Sequence, residues 1–244
     1  FATTYGHAGK WFIRVPASGL IPDRPAQVSK VFFILLLLST VTFDGILETP
    51  FWMEILKFVS ESIFLRPFLI FLDANDINII VLIKTVALIT FPSFFFFIYA
   101  GFCHVIAEFG SGGRIPTNDV LGYFIYSIVP IAIAYHLAHY LSYILIAGQQ
   151  IIPILSDPFN MGWDLIKTSD YQIDIGIINA KFVWYNAVFA IVIGHIFAVY
   201  IGHRIATKIF TDQGAAIRSQ YPMMVLMIGY TMLSLWILSQ PIVE

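Results

Sequence analysis

The 244 residues carry a formal charge of −2, are 59% hydrophobic and only 11% charged, and have a mean hydropathy of +0.83. A soluble domain carries about 25% charged residues, so a water-soluble class is excluded and an all-α polytopic transmembrane bundle is predicted, with the lipid bilayer as its first partner. No basic arm or Lys/Arg run speaks for nucleic acid, and the single cysteine, Cys103, excludes an internal disulfide and any cysteine-only metal site.

Residues 1–30 are comparatively polar and place Lys10, Arg14, Arg24 and Lys30 against one acid, Asp23. They read as a juxtamembrane segment, followed by a single transmembrane helical domain over 31–240. No small-residue cleavage pattern closes an apolar core here, so the segment is not a signal peptide. The chain opens at Phe1 without a methionine, which leaves room for upstream sequence, an earlier span included.

The first span is predicted over Val31–Thr49. Asp44 and Glu48, four apart near its end, share a face, and Pro50 stops the helix. Over 51–77 apolar residues alternate with Glu54, Lys57, Glu61 and Arg66, and Asp73 and Asp76 follow; this pattern predicts an amphipathic helix lying in the interface. The second span, Ile77–Glu108, contains Pro92, where a kink is expected. It closes on His104 and Glu108, again four apart. GSGGR over 110–114 reads as a tight turn, because it lacks the preceding strand and the following Lys-Ser/Thr of a phosphate loop.

The third span, Asn118–Ala147, holds the stretch IAIAYHLAHYLSYILIAG with His136 and His139 near its middle. Three apart, they occupy neighbouring corners of one helical face, which continues through Tyr140 and Tyr143. Ionisable groups in a bilayer are costly and by default read as functional sites facing protein. A loop over 149–176 follows. Loops of this length are uncommon unless they bind or cover something, and a lid is expected. The fourth span, Ile177–Ile209, carries Asn186, His195 and His203, and the fifth is Pro222–Gln240.

Lys and Arg placement orients these five spans. One side holds Lys10, Arg14, Arg24, Lys30, Arg114, Arg204, Lys208 and Arg218; the other holds Lys57, Arg66, Lys84, Lys167 and Lys181 with most of the acids. The positive-inside rule then puts the N-terminal segment in the cytoplasm and the 149–176 loop outside, in the inner membrane if the host is bacterial.

A rise of about 1.5 Å per residue sorts the polar groups by depth. An outer set contains Asp44, Glu48, His136 and His139, with Lys84 and Asn186 at similar depth. An inner set contains His104, Glu108, His195 and His203. Asn186 and His195 are nine apart and so on opposite faces of their helix. Two imidazoles with one or two carboxylates suit zinc, copper or iron, and a bound cation would offset the cost of burying charge. The outer set, with His136, His139, Asp44 and Glu48, is the better candidate site; His195, His104 and Glu108 are secondary candidates. The competing reading is that the histidines only hydrogen-bond across helices and hold the bundle together.

Several intramembrane chemistries lack their motifs. There is no HExxH helix and no GxSxG elbow, and the repeated histidine boxes of membrane desaturases are absent. His136 or His139 with His195 could face a haem, but no second pair repeats the pattern. A transporter would show an internal repeat with paired broken helices; the segments around Pro92 and Pro130 do not resemble each other.

Taken together, TFDGILETPFW, AYHLAHYLSY, SDPFNMGWDL, VIGHIFAVYIGHRIA and YPMMVLMIGYTMLSLWILSQPIVE resemble a family of bacterial polytopic membrane proteins, over most of residues 39–244. Some members carry the label fenitrothion hydrolase, an organophosphate triesterase. The resemblance implies metal-activated water attacking a phosphotriester, with His136, His139 and Asp44 as ligands and Glu48 as base. Two function classes follow: a membrane-embedded metalloprotein acting as a hydrolase or redox enzyme, and a structural or accessory subunit of a larger membrane complex or homo-oligomer. An ion or metal transporter using the same residues as a relay is a third.

Overall fold

The computed structural model describes residues 3–5, 11–13 and 17–240. Lys10 and Arg14 of the predicted juxtamembrane segment, and the C-terminal 241–244, lie outside the described residues. Near the N-terminus β1 (Thr3–Tyr5) pairs antiparallel with β2 (Trp11–Ile13); from Val28 onward the chain is an all-α bundle.

The helices follow in order. α1 is Val28–Leu47, α2 Pro50–Glu61, α3 Arg66–Asp73 and α4 Ile79–Ser111. α5 is Thr117–Ala147, α6 Ile151–Ser156, α7 Ala180–Ile209, α8 Gln213–Arg218 and α9 Gln220–Ser239. Five stretches, carried by α1, α4, α5–α6, α7 and α8–α9, are long and apolar enough to cross a membrane. Lipid offers backbone groups no partners, so an apolar run of this length is driven to bond within itself as helix. Sequence punctuation sets the ends: the side chains of Asn78, Asn179 and Asp212 accept the N–H groups of Val81, Lys181 and Ala215. α4 stops where Gly112 turns left-handed at φ 59°, a backbone state that costs glycine nothing.

The boundaries depart from the predicted ones in two places. Instead of one amphipathic helix over 51–77 there are two, because the chain extends at Ser62 (φ −68°, ψ 118°) and Pro67, in the first turn of α3, has no N–H to continue a ladder. The predicted 149–176 loop begins as helix: a 3₁₀ turn, Gly148–Gln150, joins α5 directly to α6.

α5 and α7 form the closest pair. Gly194, Ala198, Gly202 and Ala206 recur every four residues on α7, and all are buried. They leave one face of α7 nearly smooth, so the backbones approach and van der Waals contact replaces the hydrophobic drive that lipid does not supply. A Cβ on Gly194 would stand 2.5 Å from Ala134 Cβ and 2.9 Å from the Pro130 carbonyl oxygen. Contacts of 194 with 134 and of 202 with 127 make the pair antiparallel.

At the opposite end of the bundle from the 149–176 segment, residues 21–27 lie against α5 and α7. Ala26 N–H donates to Gly122 O at 2.9 Å, and Lys208 Nζ donates to Asp23 Oδ1 at 2.6 Å and Pro22 O at 2.9 Å. The main core, including Leu35, Tyr99, Phe124, Ile125 and Ile201, fills the space between α1, α4, α5 and α7.

Candidate functional site

Asp44 sits in the last turn of α1, and the glycine after it lets that turn close on α5. A Cβ on Gly45 would meet Ile237 Cγ2 at 2.7 Å, the Tyr135 hydroxyl at 3.3 Å and His139 Cε1 at 3.4 Å. With no side chain there, Asp44 reaches its partners: Oδ2 accepts His139 Nε2–H at 3.1 Å and the Tyr140 hydroxyl at 2.9 Å. The His139 and Tyr140 rings meet edge to face, centroids 4.8 Å apart.

The pair is asymmetric in exposure: the His139 side chain is 8% exposed and that of Asp44 47%. An ionised carboxylate only accepts, so with Asp44 charged the bonded His139 nitrogen is the protonated one. The lone pair then lies on Nδ1, the ring atom able to take a further proton. A carboxylate that receives two donors and holds a neighbouring imidazole in one tautomer is the geometry of a general base and its orienting group.

The cluster forms one wall of a cleft of ≈ 880 Å³. Glu48, Tyr143, Trp184 and Gln240 also line it, and Ile175 and Ile178 come in from the segment after α6. Glu48 therefore shares the cleft with Asp44 and His139. Gln149 ties that segment down: its Nε2 donates to Leu145 O and Asp174 O, while its Oε1 accepts from the Tyr171 hydroxyl and Asp174 N–H.

The rest of the segment is knit around Ser156 and two aspartates. Asp157 accepts from Met161 N–H at 2.8 Å and Gly162 N–H at 2.5 Å. Ser156 Oγ donates to Asp164 Oδ1 at 2.6 Å and accepts from Ile166 and Thr168 N–H. The Ser156 hydroxyl and the Ser169 N–H hold the Asp164 carboxyl below the usual carboxylate range. The predicted lid is thus a hydrogen-bonded cap beside the cleft.

The other candidates are placed separately. His136 turns back on its own helix, Nδ1 donating to Ala132 O at 2.8 Å, with its ring 6.2 Å from that of Tyr140; it does not line the cleft. His195 is bonded at both nitrogens, donating to Ile191 O at 2.8 Å and meeting the Thr231 hydroxyl at 2.5 Å. His104 lies 3.3 Å from the Thr117 hydroxyl and His203 bonds Gln220 Oε1 at 3.0 Å. Glu108 lies against Gly113 at the turn after α4, and Asn186 donates to Phe182 O on an exposed face. The inner set is therefore dispersed among separate partners.

Among the described residues no three His, Cys, Asp or Glu side chains stand close enough together to hold a metal ion. Asp44 and His139, two of the three predicted ligands, are together, while His136 points elsewhere. Sequence reasoning did not single out Gln149, Gly45 or Thr231. Only Gln149 left a signal, a long amide directly after the glycine that ends an apolar span.

The hydroxyl of Tyr135, one turn below His139, is buried with no hydrogen-bond partner among the described residues. Comparison with protein-family models, with curated proteins and with solved structures gives no match.

Proposed function

We propose that this chain is an integral membrane hydrolase in which His139, oriented by Asp44, acts as general base on water. The observation that carries the reading is the His139–Asp44 bond at the wall of a large cleft among membrane-spanning helices. The positive-inside pattern supports a cytoplasmic N-terminal side, with the cleft toward the outer face, and the setting is the bacterial inner membrane that the resemblance implies.

In this mechanism His139 Nδ1 takes a proton from a water molecule as its oxygen attacks an apolar ester, and the imidazolium returns a proton to the departing oxygen. Asp44 holds the tautomer and stabilises the cation. Tyr140 holds the carboxylate aimed through its hydroxyl. Glu48, one turn beyond Asp44 and lining the same cleft, orients the water. The resemblance points to phosphotriesters as the ester class. It also implies a metal, and Asp44 with His139 supplies two of the donors it would need; His136 does not supply the third, and no step here runs through an ion.

The test is release of the phenol from an apolar aryl phosphotriester by the purified chain in detergent. His139→Ala should lower turnover by a factor of ~10²–10⁴, the range typical of a general base, while His136→Ala leaves it nearly unchanged. Equal turnover in His139→Ala and wild type would refute the role of His139. Absence of turnover in the wild type would refute the ester class. An accessory-subunit reading is favoured by one observation, that His195 ties α7 to α9 with both nitrogens satisfied. It predicts stoichiometric partner chains on mild purification.

A further inference from the structure

Asp44 is reached from two sides. Besides the outer cleft, it and Tyr140 line a separate groove of ≈ 430 Å³ between α1 and α4, with Lys84 on the α4 wall. The remaining walls are largely apolar, with Phe43, Leu47 and Leu88 among them.

Lys84 is the open charge of this groove. It lies one and a half turns inside a membrane-spanning helix, where an ammonium is costly and calls for a partner. Among the described residues it makes no hydrogen bond or ion pair. The neighbouring hydroxyls are committed to their own helices, Thr40 to Leu36 O and Thr85 to Val81 O. Asp44 Oδ2 faces the two donors on α5. The groove therefore offers a positive point at one wall and a carboxylate at the other.

We propose that Lys84 is a specificity-determining residue of the same site, selecting an anionic amphiphile that enters laterally between α1 and α4. Its charged head is held by the Lys84 ammonium and kept off Asp44 by like charge, and its tail lies along the apolar walls. That orientation leaves the uncharged bond next to the head facing Asp44, the member of the acid–base pair that lines both the groove and the cleft. The inference rests on the acid–base reading for what happens afterwards, but not for the binding itself. It adds singly charged lipid-like esters to the neutral triesters of that reading. Lysine serves such a head as a point charge.

The test is binding, followed by native mass spectrometry in a non-ionic detergent, of methyl dodecyl phosphate, a singly charged diester, against dodecan-1-ol, which shares the tail and lacks the charge. Wild type should prefer methyl dodecyl phosphate by ~10-fold or more, the equivalent of ~1.4 kcal/mol. Lys84→Met should lose the preference and Lys84→Arg keep it. His139→Ala, measured alongside, should retain it, so equal hydrolysis by His139→Ala and wild type with selectivity intact counts against the base and not against Lys84. The same preference in Lys84→Met as in wild type, which a lysine merely snorkelling to the interface would give, overturns the proposal. So does equal binding of the two probes to wild type.

Discussion

His139 Nε2 and Asp44 Oδ2 stand 3.1 Å apart across 95 positions of sequence, and the contact exists because Gly45 lets α1 close on α5. His136, one turn away on the same helix, bonds its own backbone at Ala132. The first prediction is therefore a contrast between two histidines. His139→Ala takes one of two donors from the Asp44 carboxylate and removes the base; His136→Ala removes one local bond, worth ~1 kcal/mol. Binding of a histidine-selective acylating reagent, mapped by mass spectrometry, should fall at His139 when the cleft is filled by an apolar ester and remain unchanged at His136.

The α5–α7 contact predicts opposite outcomes for two glycines. Gly194→Ala places a methyl 2.5 Å from Ala134 Cβ and 2.9 Å from a backbone oxygen. Neither can swing away, so the helices must separate at a cost of ~1–3 kcal/mol. Gly202→Ala meets nothing nearer than Ser127 Cβ at 3.8 Å, ordinary contact distance. Thermal unfolding in detergent should show a clear loss for the first and little change for the second.

Gln149 makes four hydrogen bonds, three of them to the segment that carries Ile175 over the cleft. At ~0.5–1.5 kcal/mol each, their loss in Gln149→Ala should loosen residues 171–178 without unfolding the bundle. Amide exchange at Asp174 should speed by ~10-fold or more while exchange in α5 and α7 is unchanged. Uniform acceleration across all helices would show Gln149 to be a general stability residue instead.

Asp164 gives the segment a defined pH response. Its folded pKa lies below the ordinary carboxyl value of about 3.9, so its bonds contribute fully above about pH 4 and are lost as pH falls through the folded value. Fluorescence of Trp163, which meets Phe159 edge to face at 5.6 Å, should be constant between pH 8 and 5 and change only below pH 4. Asp164→Asn should shift the signal at every pH. A transition near pH 6 would point to a histidine and not to Asp164.

His195 should behave as a tie between helices. With Nδ1 on Ile191 O and Nε2 against Thr231, His195→Ala should cost ~1–2 kcal/mol in unfolding and leave phosphotriester turnover unchanged. A fall in turnover with stability intact would bring His195 into the working site.

Much of the architecture was legible in the residues themselves. Apolar runs of twenty or more residues in a solvent without hydrogen-bond partners have one local solution, so the five spans follow from composition and length. The turn at 110–114 follows from its glycines, and the division at Ser62 is explicable from Pro67 once seen. Depth was also readable, because rise per residue is constant: Asp44, Glu48 and His139 do share a cleft.

Rotation about each helix axis was not readable. Which of two histidines three residues apart faces Asp44 depends on how α1 and α5 are turned against each other. That is decided by contacts no local pattern contains: the bare Cα of Gly45 beside Ile237 and Tyr135, and the approach of Gly194 to Ala134, too close to admit a methyl. Depth brought His195 into the candidate list, whereas α9 at its side, with the Thr231 hydroxyl, turned it into a tie. Composition and helical rise determined what each residue is and how deep it lies; only side-chain packing between helices distant in sequence decided which polar groups meet.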